Sequence, residues 1–188
     1  MPTHVVIVVL AALGLILLWL IFTYNLLVRD RNLMQEGWSG IDVQLKRRHD
    51  LVPNIVELVE GYSSHERRLF QDVTEARAAS MRAGEVKDIE SAENSLSARL
   101  RTLFAVAENY PQLKADQTYL ALQRQLVEVE DQIQMARRYY NGTVRNYDIR
   151  VESFPSNVVA RLFAFRRADY FQIETATERA APEVEIER

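Results

Sequence analysis

The stretch "VVIVVLAALGLILLWLIF", from Val5 to Phe22, is eighteen residues without a charge. As a helix it is about 27 Å long, close to the hydrocarbon thickness of a bilayer. The rival reading is a cleaved signal peptide. Against it, "MPTH" holds no Lys or Arg, the run exceeds a usual signal core, and no small-x-small site comes after it. A retained anchor is expected, with Met1 or Pro2 as the mature N-terminus. Trp19 and Tyr24 stand near the exit end, where amphipathic aromatics prefer to lie. Arg29 and Arg31 come after the span, then Lys46, Arg47 and Arg48, so the positive-inside bias places the large C-terminal part on the cytoplasmic side of the cell membrane.

The body of the chain reads as helix. Positions 34, 41, 48, 55, 62, 69 and 76 are Met, Ile, Arg, Ile, Tyr, Leu and Ala, and positions 38, 45, 52, 59, 66, 73 and 80 are Trp, Leu, Val, Val, Glu, Val and Ser. This is an a/d heptad pattern with Arg48, Glu66 and Ser80 as departures. It keeps phase past Pro53, which fits either a kinked continuous helix or a chain reversal in "RHDLVPN". Phase continuity favours the kink. Gly84 and Pro111 mark two further breaks, enclosing an apolar stripe of Ile89, Leu96, Leu100, Leu103, Ala107 and Tyr110. A longer stripe steps by three or four from Tyr119 to Phe154 and stops at Pro155. Such stripes need one another for burial, which predicts an all-α fold: an antiparallel bundle of long helices behind the anchor. "PSNVVARLFAFRR" is a basic amphipathic segment that fits a helix closing the bundle end, or one lying on a membrane surface.

Chemistry is hard to find. Lys and Arg number 23 against 26 acids, a net charge of -3, so no basic field invites nucleic acid. With no cysteine, thiolate chemistry and Cys-ligated zinc are excluded. Neither His49 nor His65 has a Glu three residues before it, and "HERRL" lacks the second histidine of a zincin motif, so no metal site is expected. There is no Gly-rich phosphate loop and no nucleophile elbow, and no acid, base and nucleophile converge. No catalytic residue and no cofactor are expected. Arg48 and Glu66 are the telling residues, because a charge on an apolar stripe must snorkel out, find a partner, or specify register. They lie eighteen residues apart, about 27 Å along one helix, and cannot pair within it. Pairing across copies of the chain would make the protein a homo-oligomer; partners inside one bundle are the alternative. "RRYYNGTVRNY", with Arg138 and Tyr140, is either a ligand surface or rings packed in the seam with hydroxyls at the rim. The candidate interaction or register residues are thus Trp38, Arg48, His49, Glu66, Arg138 and Tyr140.

The strings "WSGIDVQLKRRHDLVPN" and "ARRYYN", together with "SFPSNVVARLFAF", resemble the LemA family of bacterial membrane-anchored proteins, and the match extends from Tyr24 to Phe165. The resemblance implies an N-terminal anchor, a soluble antiparallel bundle of four helices, and a division near Pro53. It implies no enzymatic activity and no cofactor, and some members of the family are linked to building bacterial membrane compartments. The expected organisation is an anchor over residues 1–24, a bundle over 25–167 and a polar acidic tail over 168–188. The expected function is a non-enzymatic membrane scaffold or assembly protein, with the lipid bilayer, further copies and other membrane proteins as partners. A regulatory adaptor for a membrane protease or envelope stress system is the alternative.

Overall fold

In the computed structural model, which describes residues 2–63 and 66–173, the chain is all-α. The helices are α1 (Pro2–Tyr62), α2 (Arg67–Arg82), α3 (Val86–Ala107), α4 (Pro111–Lys114), α5 (Gln117–Glu152) and α6 (Ser156–Leu162). Two compact units divide the chain. One combines Met1–Gly40 with Arg138–Tyr170, the other Ile41–Arg137 with Phe171–Arg188. Both α1 and α5 contribute to each unit.

The second unit is a four-helix bundle. Val52, Ile55 and Val59 of α1, Phe70 and Val73 of α2, Leu96, Leu100 and Leu103 of α3, and Leu126 of α5 form one buried cluster. These are the positions that a seven-residue repeat brings to one face. Gly84 lies in the break between α2 and α3, and Pro111 opens α4, where its missing N–H costs nothing. Asp116 begins α5 by accepting the backbone N–H groups of Thr118 (2.7 Å) and Tyr119 (3.1 Å) on Oδ1. Those donors have no intrahelical partner of their own.

Pro53 does not divide the chain. It removes the N–H that would bond the carbonyl of His49 one turn earlier, and Arg77 of α2 replaces it, Nε donating to that carbonyl at 2.7 Å. The break comes instead after Tyr62, so the heptads from Leu69 to Ser80 belong to α2, where Val73, Ala76 and Ser80 are buried. Heptad phase survived the interruption and therefore did not reveal it. Residues 171–173, expected within the polar tail, lie against the bundle. Phe171 and Ile173 are buried, Arg137 Nη1 donates to the Ile173 carbonyl (2.9 Å), and the Gln172 N–H donates to Glu90 Oε2 (2.9 Å). The acidic stretch "TATERAAPEVEIER" and His65 fall outside the described residues.

In the first unit, Val159 and Ala160 of α6 are buried with Leu27 of α1, flanked by Leu20, Val151 and Phe165. Gly37 marks a close approach: a Cβ there would stand 3.1 Å from the Cα of Tyr140 and 3.3 Å from the ring of Tyr139. Phe154 corrects the long stripe expected of α5, being 83% exposed. The helix ends at Glu152 ahead of Pro155, whose ring disfavours helix in the residue before it, and past that point helical spacing no longer sets where a side chain points. The apolar side expected of α6 is likewise split, with Val159 buried and Val158, Leu162 and Phe163 exposed.

Candidate functional site

Arg48 is the largest fully buried side chain among the described residues, and four helices of the bundle unit build its surroundings. It occupies the α1 seam between Leu45 and Val52. Glu93 continues the α3 stripe between Ile89 and Leu96, Glu130 lies on α5 between Leu126 and Ile133, and Ser80 closes the buried face of α2. Helical periodicity thus aims four polar residues at one place in an apolar interior.

Arg48 Nη1 donates to Glu93 Oε2 at 3.0 Å, and Nη2 donates to Ser97 Oγ at 2.6 Å. Its Nε stands 3.0 Å from Glu130 Oε1, close enough for a strong charge contact although the N–H is not aligned as a hydrogen bond. Glu93 also meets His49 Nε2 through Oε1 at 2.6 Å, and the same oxygen accepts from the Ser80 hydroxyl. With Glu93 ionised, Nε2 carries the proton in that contact. Burial alone would push the Glu93 carboxyl up. The His49 hydrogen bond, the Arg48 charge and the Ser80 hydroxyl outweigh it and hold the group below the ordinary carboxylate value.

Two carboxylates and one guanidinium, withdrawn from water, meet one imidazole at the edge of the cluster. A carboxylate with several donors is a weak proton acceptor, and an enclosed guanidinium cannot clamp a ligand, so the cluster favours fixing helix positions over turning over a substrate. It reaches the surface at His49, beside a cavity of about 210 Å³ that Asp42, Lys46, Ser80 and Glu93 help to line.

The other candidate residues scatter. Glu66 is half-buried and lies off the helices, immediately before α2. Trp38 and Tyr140 belong to the first unit, where their rings meet edge to face with centroids 5.3 Å apart. The Tyr140 hydroxyl donates to the Asp169 carbonyl at 2.8 Å. Burial first, then the charges of Asp169 and Asp148, push its pKa up to about 12. Arg138 is exposed on α5. Sequence reasoning left the partner of Arg48 open and passed over Glu93 and Glu130. The signal was available in the stripe itself, since a glutamate four residues after Ile89 and three before Leu96 must face the same seam.

The profile described as the LemA family matches residues 37–186. Magnetosome protein MamQ 2 of Paramagnetospirillum magneticum is 29% identical over 183 residues, covering 84% of this chain and 67% of the relative. Magnetosome protein MamQ of Magnetospirillum gryphiswaldense is 25% identical with the same coverage. Protein LemA of Metamycoplasma hominis is 27% identical over 152 residues, 79% of this chain and 68% of the relative. None of these names is that of an enzyme.

Proposed function

Because the chain belongs to the LemA family, we propose that it serves as a non-enzymatic, single-pass membrane scaffold or assembly protein, with its bundle on the cytoplasmic side of the cell membrane. The observation that carries this reading is α1: its apolar N-terminal stretch is long enough to cross a membrane, no described part of the chain packs against it before Leu20 at its exit end, and the same helix then supplies one wall of the bundle. Enclosed and mutually neutralising charges support structure over catalysis. The relatives named as magnetosome proteins support membrane association.

Association with further copies or other membrane proteins belongs to this reading, but Arg48 no longer argues for it. The arginine draws its charge partners from α3 and α5 of its own chain. Association falls instead to exposed apolar side chains such as Met81, Val127 and Met135. Carbonate extraction, followed by crosslinking in native membranes and mass spectrometry, tests the reading. A scaffold stays in the pellet and crosslinks to itself. A soluble chain ends the anchoring, and a stoichiometric membrane protease without self-crosslinks transfers the function to an adaptor.

A further inference from the structure

We infer that α6 and the turn before it form an interfacial contact with the bilayer crossed by α1, seating Phe154, Val158 and Leu162 at the boundary between headgroups and acyl chains. The inference rests on the reading of α1 as a membrane span. Val158 and Leu162 stand four positions apart on α6, the spacing that keeps side chains to one side of a helix; they are 54% and 69% exposed, and Phe154 in the turn before them is 83% exposed. An apolar row this bare is costly in water, and nothing in the described chain covers it.

Its level along α1 identifies the occupant. The opposite face of α6 is held by α1: Val159 and Ala160 pack with Leu27 and with Leu20, which lies inside the uncharged run ending at Phe22. At 1.5 Å per residue, Leu20 is about 3 Å inside the end of that run and Leu27 about 7.5 Å outside it. The Tyr24 ring, between them, meets the rings of Phe163 and Phe165 with centroids 4.8 and 5.7 Å apart. The helix is therefore fastened to the part of α1 that leaves the hydrocarbon, at the depth where amphipathic helices rest on lipid.

Charge agrees. From Ser153 to Arg167 the chain has no acid, and Arg161 and Arg166 are exposed, while the exposed Arg167 already pairs with Asp148 and Glu152. The Arg31 guanidinium sits over the Phe165 ring, 5.5 Å from its centroid. Arginines around an apolar row can snorkel to phosphate oxygens while the row enters the acyl boundary.

The absence of cysteine allows single probes in the full chain. Val158→Cys, Leu162→Cys, a mid-span Leu15→Cys and an exposed Val43→Cys are each labelled with a polarity-sensitive fluorophore. The proteins are placed in nanodiscs of phosphatidylcholine and phosphatidylglycerol whose lipids carry quenchers at shallow or deep acyl positions. The expected result is Leu15 quenched by the deep label, Val158 and Leu162 quenched several-fold more than Val43 by the shallow label, and helicity unchanged. If Leu15 is quenched while Val158 and Leu162 match Val43, the interfacial contact is overturned and the span stands. If Leu15 is not quenched by the deep label, the span itself fails and the contact with it. Shielding of Val158 and Leu162 from a water-soluble quencher without quenching by lipid would mean that a protein surface covers the row, which also overturns the proposal.

Discussion

The two units share α1 and α5 but handle buried charge in opposite ways. In the bundle unit, Arg48, Glu93 and Glu130 are sealed from water, and each depends on the others. In the first unit the buried acids Asp30 and Asp148 reach outward. Asp30 holds Arg150 Nε at 2.6 Å, and Arg150 remains 30% exposed; Asp148 accepts the Ala168 N–H at 3.0 Å and faces an Arg167 that is 64% exposed. An arginine that keeps contact with water retains part of its solvation there, so losing its acid leaves it tolerable. Location, more than residue type, decides whether an ion pair is an ornament or a condition of folding.

The sharpest way to break that comparison is Arg48→Met, which leaves two buried carboxylates without their cation. It should destabilise by about 3 to 5 kcal/mol, read as denaturant unfolding of the full chain in detergent with peptide-resolved hydrogen exchange showing the loss in α3. Replacing Glu93 and Glu130 by Leu in the same chain should recover most of it, and failure to recover would show that the cluster does more than balance charge. Arg77→Met comes next. It strands the His49 carbonyl at Pro53 and should cost about 1.5 to 3 kcal/mol, the range for a hydrogen bond to a charged group. In a Pro53→Ala background the carbonyl regains a backbone N–H, so the cost of Arg77→Met should fall by half or more; equal costs in both backgrounds would refute the substitution of one donor for the other.

In the first unit, Gly37→Leu drives a side chain against the backbone of Tyr140 and should cost about 1 to 3 kcal/mol after allowing for the gain in helix propensity. Gly142, where a Cβ would meet nothing within 4 Å, is the control: Gly142→Ala should stabilise by up to about 1 kcal/mol. Tryptophan fluorescence reports on both, because Trp38 lies on Tyr140. A pH series needs no substitution. The lowered pKa of Glu93 gives the bundle unit stability that is present above 4.5 and lost as pH falls through the lower folded value. The raised pKa of Tyr140 gives the first unit stability that is whole below 10 and lost as pH rises through about 12. Exchange pulses should therefore find α3 failing first in acid and the Trp38 region first in alkali.

Much of the fold was legible from spacing. The seam from Ile41 to Val59, the α3 stripe, and the breaks at Gly84 and Pro111 follow from periodicity and turn chemistry, because those signals are local. The end of α1 was not. Its heptad phase continues into α2, and the proline that looked like a boundary is rescued by Arg77, twenty-four positions away in the sequence. The site was half legible: Arg48 announced itself as a charge on an apolar stripe, whereas its partners depend on which helices face each other, something a single helix's period cannot specify. Phe154 misled for the converse reason, since a stripe read past the end of its helix has no face to belong to.

The enclosed triad also restricts how this protein can change over generations. Arg48, Glu93 and Glu130 lie on three different helices, and an interior with all three made apolar would be sound. Yet the order of loss matters: removing Arg48 first leaves two buried carboxylates without their cation, whereas removing Glu130 first leaves Arg48 paired with Glu93. Lineages are therefore expected to lose Glu130 before Arg48, and Arg48 together with Glu93, so substitutions at these positions should be statistically coupled although they are 37 to 82 residues apart in the sequence.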